Sequence, residues 1–371
     1  MNKTRVLIVD DSIFFRKFLT TKLSEYPNIE IAGMAMNAME AKFSIPRIKP
    51  DVVTLDVEMP GMSGIDLLKD LMVRHPVPVV IVSAVNMNVF DALSAGAVDF
   101  VKKPDINEPE AGNRFIQDLA SKIEIAKSAH IRKSPMPMPA PTPYTPVQTV
   151  QSPQVQNTPP VRQKPAQSSA PSPLTGRGFL TKPLVIALGA STGGTEATLV
   201  VLKDLPKNTP GMVIVQHMPP GFTKMYADRL NSQCPMEVRE AKDGDKVQQG
   251  LALIAPGDMQ MQLVRIGSGY NVKCFYGEKV SGHCPSVDVL FHSVAEAAGK
   301  DAVGIIMTGM GKDGADGLLH MRNNGAYTIG QDQESCIVYG MPMVAYNIGA
   351  VTKQASCENI SPVLKSYLNQ L

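Results

Sequence analysis

No apolar run in the 371 residues approaches the ~18 that a membrane-spanning helix needs. Val6 to Val9 is a short strand-like run stopped by Asp10 and Asp11, not a signal-peptide core. The expectation is a cytoplasmic protein without direct membrane insertion. Cysteine is scarce: Cys234, Cys274, Cys284, Cys336 and Cys357 are an odd number with no C-x-x-C pair, which suggests neither a disulfide framework nor a zinc site. Acidic residues are missing altogether from 127–182, where seven basic residues lie. Residues 1–126 hold 14 basic and 17 acidic side chains, and residues 183–371 hold 15 and 17, so the small net charge of +2 arises in that one stretch. A DNA-binding output domain would be compact and basic. With no recognisable helix-turn-helix in 183–371, nucleic acid is not an expected partner.

Composition then divides the chain. Ser134 to Thr175 holds twelve prolines among Gln, Ser and Thr, with Tyr144 as its single aromatic residue, too little apolar surface to offset the entropy of ordering. The reading is an N-terminal domain at 1–126, a flexible basic linker at 127–182 and a C-terminal domain at 183–371. In the first domain, Arg5 to Asp10, Ile29 to Ala35, Asp51 to Asp56, Pro78 to Ala84 and Val98 to Val101 read as short strands separated by helical patterns. That alternation predicts a doubly wound, five-stranded parallel α/β sheet. Pro183 to Leu188, Gly211 to Gln216 and Ala302 to Met307 repeat the pattern as a second doubly wound α/β domain, with Met236 to Phe275 read as added hairpins from its Asp-Gly and Pro-Gly turns.

Ligands of such sheets collect at the carboxyl ends of the strands. Asp10 and Asp11 end the first strand, Asp56 ends the third, Ser83 lies near the end of the fourth, and Lys103 follows the fifth. Any one strand-end aspartate is commonly a helix cap, but that does not explain the set. Converging carboxylates suit a hard cation such as Mg²⁺, and a carboxylate beside it can attack a phosphoryl group while Lys103 and the Ser83 hydroxyl stabilise the charge. Val9-Asp10-Asp11-Ser12, Leu55-Asp56-Val57-Glu58-Met59-Pro60-Gly61, Ser83-Ala84 and Val101-Lys102-Lys103-Pro104 resemble a response-regulator receiver domain. The resemblance implies a phospho-accepting Asp56, with Mg²⁺ on Asp10, Asp11, Asp56 and the Glu58 main-chain carbonyl. It also implies a switch formed by Ser83, Phe100 and Lys103, and a histidine kinase as phosphodonor.

In the C-terminal domain Gly189-Ala190-Ser191-Thr192-Gly193-Gly194 follows an apolar strand and precedes the helical pattern Thr195 to Leu205. Ser191 would project from that tight turn beside helix N–H groups, although the same turn could cradle a phosphate. His217 ends the next strand, and Asp313, in Gly311-Lys312-Asp313-Gly314, stands where a helix begins and is equally a candidate cap. Together the three meet the demand for nucleophile, base and orienting carboxylate around one crevice. Main-chain donors near Thr192 and Met310 are candidates for holding an oxyanion. His283 and Cys284 read as structural or pocket-lining, Ser286 as a helix cap, and Asp316 as a charge supporting a helix start.

The order Ser…His…Asp is not that of α/β-hydrolases. Residues 183–371, including Gly282 to Phe291, are similar to the catalytic domain of the bacterial chemotaxis protein-glutamate methylesterases (the CheB family), and the order receiver, linker, esterase matches the whole family pattern. The resemblance implies the catalytic roles of Ser191, His217 and Asp313, hydrolysis of glutamate γ-methyl esters on the cytoplasmic helices of methyl-accepting chemoreceptors with release of methanol, and deamidation of receptor glutamines. No cofactor is expected for the esterase reaction. The receiver face bearing Ser83 and Phe100 is expected to dock near the Ser191 crevice and to loosen when Asp56 is phosphorylated.

Overall fold

The computed structural model describes residues 3–83, 88–104, 110–131 and 184–371. The proline-rich stretch Ser134 to Thr175 lies outside the described residues. The N-terminal domain alternates β1 (Thr4–Val9), α1 (Ile13–Leu23), β2 (Ile29–Ala35), α2 (Ala38–Ile48), β3 (Val52–Leu55), α3 (Gly64–Arg74), β4 (Val79–Ser83), α4 (Asn88–Ser94), β5 (Asp99–Lys102) and α5 (Ala111–Lys127). The strands pair in parallel in the order β2-β1-β3-β4-β5. Val6, Leu7, Ile8 and Val9 are all buried, the unbroken apolar run expected of a strand covered on both faces. Ser12, Asn37 and Ser63 cap α1, α2 and α3 by accepting from backbone N–H groups, which fixes where the loops leave the carboxyl edge of the sheet.

The C-terminal domain runs β6 (Val185–Ala190), α6 (Gly194–Lys203), β7 (Gly211–Gln216), α7 (Phe222–Gln233), β8 (Glu237–Glu240), β9 (Lys246–Val247), β10 (Leu251–Ile254), β11 (Gln260–Ile266) and β12 (Gly269–Phe275). It continues through α8 (Val287–Ala298), β13 (Ala302–Ile306), α9 (Ala315–Asn323), β14 (Tyr327–Gln331), α10 (Met341–Asn347), β15 (Lys353–Ala355) and α11 (Cys357–Leu368). Seven parallel strands pair in the order β15-β14-β13-β6-β7-β10-β8. The chain leaves β6 toward β7 on one side and returns to β13 on the other, so the crevice of a switch point opens beside β6.

One region differs from the sequence reading. Met236 to Phe275 is not a set of hairpins alone: β8 and β10 join the main sheet in parallel, while β11, β12 and β9 form a separate antiparallel sheet. The turns at Asp243-Gly244 and Pro256-Gly257 reverse the chain locally but hand it from one sheet to the other. Only Gly267-Ser268 closes a true hairpin, between β11 and β12.

Candidate active site

Ser191 follows β6, His217 follows β7 and Asp313 lies in the loop after β13; these are three adjacent strands. The serine turn is tied down on every side. Ser191 N–H donates to the Thr308 carbonyl (3.0 Å), the Ser191 carbonyl accepts from Gln216 Nε2 (2.8 Å), and Thr308 Oγ1 donates to the Thr192 carbonyl (3.0 Å). Gly193 turns the chain into α6 with φ of 77°, in the left-handed region where a side chain is strained. At Gly309 a Cβ would stand 2.6 Å from the Ser191 Cβ, so only glycine lets the loop after β13 close on the serine. The N–H groups of Thr192 and Met310 make no hydrogen bond among the described residues.

Asp313 is 1% exposed and fully engaged. Oδ2 accepts from His217 Nε2 (2.7 Å) and the Val287 N–H (2.7 Å), and Oδ1 accepts from Ser286 Oγ (2.7 Å) and the Asp288 N–H (3.1 Å). It therefore caps the start of α8, not its own helix, whose first N–H groups follow Gly314. Burial alone would raise this carboxyl. The His217 hydrogen bond and charge, with the Ser286 and Val287 donors, instead take it down to about 2. An ionised carboxylate only accepts, so Nε2 carries the proton of the neutral imidazole. His217 Nδ1 is buried without a partner among the described residues.

The acidic pocket assembles at the carboxyl edge of the other sheet. Lys103 Nζ reaches Asp10 (2.9 Å) and Asp56 (2.6 Å), and one oxygen from each of Asp10, Asp11 and Asp56 lies within 4.8 Å of the others. Burial raises the Asp56 carboxyl above its usual range, in part offset by Lys103. The Ser83 hydroxyl is buried and has no partner among the described residues.

Residues 186–364 match the family model described as CheB methylesterase, and residues 6–110 match that of the response regulator receiver domain. The protein-glutamate methylesterase/protein-glutamine glutaminase 2 of Syntrophomonas wolfei subsp. wolfei is 48% identical over 371 residues, covering 100% of this chain and 99% of its own. The chain belongs to the CheB methylesterase family. The protein-glutamate methylesterase/protein-glutamine glutaminase of Escherichia coli (strain K12) is 42% identical, across 97% of this chain and 96% of its own. The solved catalytic domain of Thermotoga maritima CheB methylesterase is 34% identical over 50% of this chain and 100% of its own, at a TM-score of 0.49.

In this family member the receiver touches the serine turn itself. Asp99 Oδ2 accepts from Thr192 Oγ1 (2.5 Å), and the Phe100 ring packs on Phe222 at the start of α7, with centroids 4.6 Å apart. Phe90 stacks on Tyr226 (5.9 Å). Ser94 Oγ accepts from Arg229 Nη2 (2.6 Å), and Arg229 pairs with Glu196 (2.9 Å). Sequence reasoning missed the Ser286 bond to Asp313, Gln216, Asp99 and the stacking of His283 on His217. Ser286 carried a signal as a helix cap, which it is, donating at the same time to Asp313. Asp316 sits in the first turn of α9, away from the His217 contact.

Proposed function

We propose that this chain is a phosphorylation-activated serine hydrolase that removes methyl groups from glutamate γ-methyl esters of chemoreceptor cytoplasmic helices, releasing methanol, and deamidates receptor glutamines. The His217–Asp313 pair, set on the strands that flank Ser191, carries the reading. Ser191 Oγ attacks the side-chain carbonyl carbon while His217 takes its proton on Nδ1, the nitrogen that Asp313 leaves free. The unbonded N–H groups of Thr192 and Met310 receive the oxyanion. His217 then gives that proton to the ester oxygen, which leaves as methanol, or to the amide nitrogen of a glutamine, which leaves as ammonia, and water attacking the acyl-enzyme by the same route restores Ser191.

Receiver domains take up Mg²⁺ for phosphorylation and accept their phosphoryl group from a histidine kinase; a chemotaxis kinase is the proposed donor here. The carboxylates of Asp10, Asp11 and Asp56 fit such a hard ion, and with the Glu58 carbonyl they would hold it. When bound, Mg²⁺ neutralises charge between the Asp56 carboxylate and the incoming phosphoryl oxygens. Asp56 attacks phosphorus as the bond from phosphorus to the donor's histidine nitrogen breaks, Lys103 pairs with the developing charge, and the Ser83 hydroxyl, unpartnered among the described residues, donates to a phosphoryl oxygen. The contacts of Asp99 on Thr192 and Phe100 on Phe222 support a receiver that restrains the serine turn until Asp56 is phosphorylated.

The test is methanol release from methylated receptor. Ser191→Ala should abolish it and leave phosphorylation of Asp56 intact. Full activity in folded Ser191→Ala protein would end this reading.

A further inference from the structure

Asp313 holds the edge of the His217 ring, and one hydrogen bond through Nε2 leaves the ring plane free to turn about that bond. The plane is set by a second imidazole. The His217 and His283 rings lie face to face, with centroids 3.7 Å apart and an interplanar angle of 7°.

His283 is itself tightly built in. Val280 and His283 exchange both backbone hydrogen bonds (3.0 and 2.9 Å) across a two-residue turn. Ser281 and Gly282 adopt φ of 52° and 85°, the pair of left-handed conformations that such a hairpin requires. A non-glycine residue is strained there, and strain held by surrounding bonds is common where a side chain must be aimed. His283 Nδ1 donates to the Ser281 carbonyl (2.9 Å), which fixes its tautomer and ring orientation. Buried Gln260 pins both ends of the segment, donating to the Glu278 carbonyl (2.9 Å) and accepting from the Ser286 N–H (2.9 Å).

His217, His283 and Asp313 offer ligand atoms within 4.8 Å of one another, so a metal site is the competing interpretation. Parallel stacked rings direct their lone pairs side by side, whereas tetrahedral coordination needs them to converge, and the His217–Asp313 hydrogen bond already uses one atom of each. Stacking fits the geometry better. Burial, with like charge on His217 second, pushes His283 down to about 4, so near neutral pH the lower ring is uncharged. A neutral aromatic face suits the imidazolium that forms above it when Ser191 gives up its proton.

Building on the serine-hydrolase reading, we propose that His283 is a positioning residue that acts through His217: its ring holds the imidazole plane toward Ser191 and supports the imidazolium by face contact. Full-length protein with a small-molecule phosphodonor would be compared as parent, His283→Phe, His283→Leu and Ser191→Ala, measuring kcat and KM for methanol release and the rate of Ser191 labelling by a fluorophosphonate. Phe keeps a flat ring and Leu keeps only apolar bulk. His283→Leu should lose about tenfold or more in kcat and in labelling rate with KM unchanged, and His283→Phe should recover most of both. An unchanged kcat in His283→Leu, a defect confined to KM, or equal losses in Phe and Leu would each overturn the proposal. Activity persisting in Ser191→Ala would instead remove the underlying hydrolase reading, which keeps the two failures apart.

Discussion

The two strand-end sites of this molecule use carboxylates in opposite ways. In the receiver, acidic groups crowd together, Asp11 is exposed, and burial lifts Asp56 toward its neutral form, so the site is poised to take up a cation and a phosphoryl group. In the esterase domain the Asp313 carboxylate is sealed from water and saturated by four donors, which hold it ionised. On the proposed roles, the first site changes its charge and the second keeps it. Asp56, the proposed switch, accepts from Lys103 and the Glu58 N–H, whereas Asp313, proposed to orient a histidine, accepts from four donors.

The strongest way to break this contrast is to neutralise the sealed carboxylate. Asp313→Asn should lower turnover by up to about 10⁴, the magnitude known for the serine-protease aspartate, because the amide favours the wrong imidazole tautomer and offers a donor where Ser286 and Val287 already donate. Steady-state methanol release measures it, and a loss below tenfold would argue that Asp313 serves α8 more than His217. Next, chelating divalent cations should stop labelling of Asp56 by a phosphodonor while leaving basal esterase activity within a factor of about two, the crowded site being the one proposed to take a cation. Loss of basal activity on chelation would erase the distinction. Third, Asp99→Ala, which frees the Thr192 hydroxyl from the receiver, should raise basal turnover about five- to tenfold, within the range of a coupling free energy between sites. An unchanged basal rate would leave the Phe100–Phe222 contact as the restraint to test.

The smallest expected effect is on stability. Burial, with His217 second, depresses the His283 imidazole to about 4 in the folded chain against 6.5 when unperturbed, while Asp313 and the Ser281 carbonyl act in the opposite sense and Lys279 adds to the depression. Between those values the unfolded chain binds the extra proton, so unfolding free energy rises with pH. The slope due to this group should reach at most about 1.4 kcal/mol per pH unit, full stability returning above about pH 6.5. His283→Phe should flatten that slope in urea titrations of the esterase transition run at several pH values between 4 and 7.

Much of the receiver was legible because its chemistry is local: four of its five strands end on or beside a candidate site residue, and a period of strand then helix fixes which edge those ends share. The same logic places Ser191, His217 and Asp313 just beyond three adjacent strands. What was not legible depends on neighbours far away in the chain. Asp243-Gly244 signals a turn equally well whether the next strand pairs with the last or crosses to another sheet, so β8 and β10 were read as parts of hairpins. The alternative of Asp313 as a cap of the helix that follows it stays open in sequence, which shows adjacency and not that α8 begins beside its carboxylate. Histidine stacking and the Asp99–Thr192 contact leave no periodic trace at all.

The receiver core does not stop at its own last helix. Beyond Lys127 the chain continues along the esterase domain: the His130 N–H donates to the Ile337 carbonyl (2.9 Å), and the Ile337 side chain packs with the receiver cluster that includes Phe115 and Leu119. Ile337 also fills the space beside Gly193, where a Cβ would lie 2.6 Å from it. For anyone exchanging receivers among such enzymes, the transplantable unit therefore includes His130 and Ile131. A chimera cut at the last helical residue would set a foreign receiver core against Ile337, the side chain that fills the space beside the glycine turning the chain into α6.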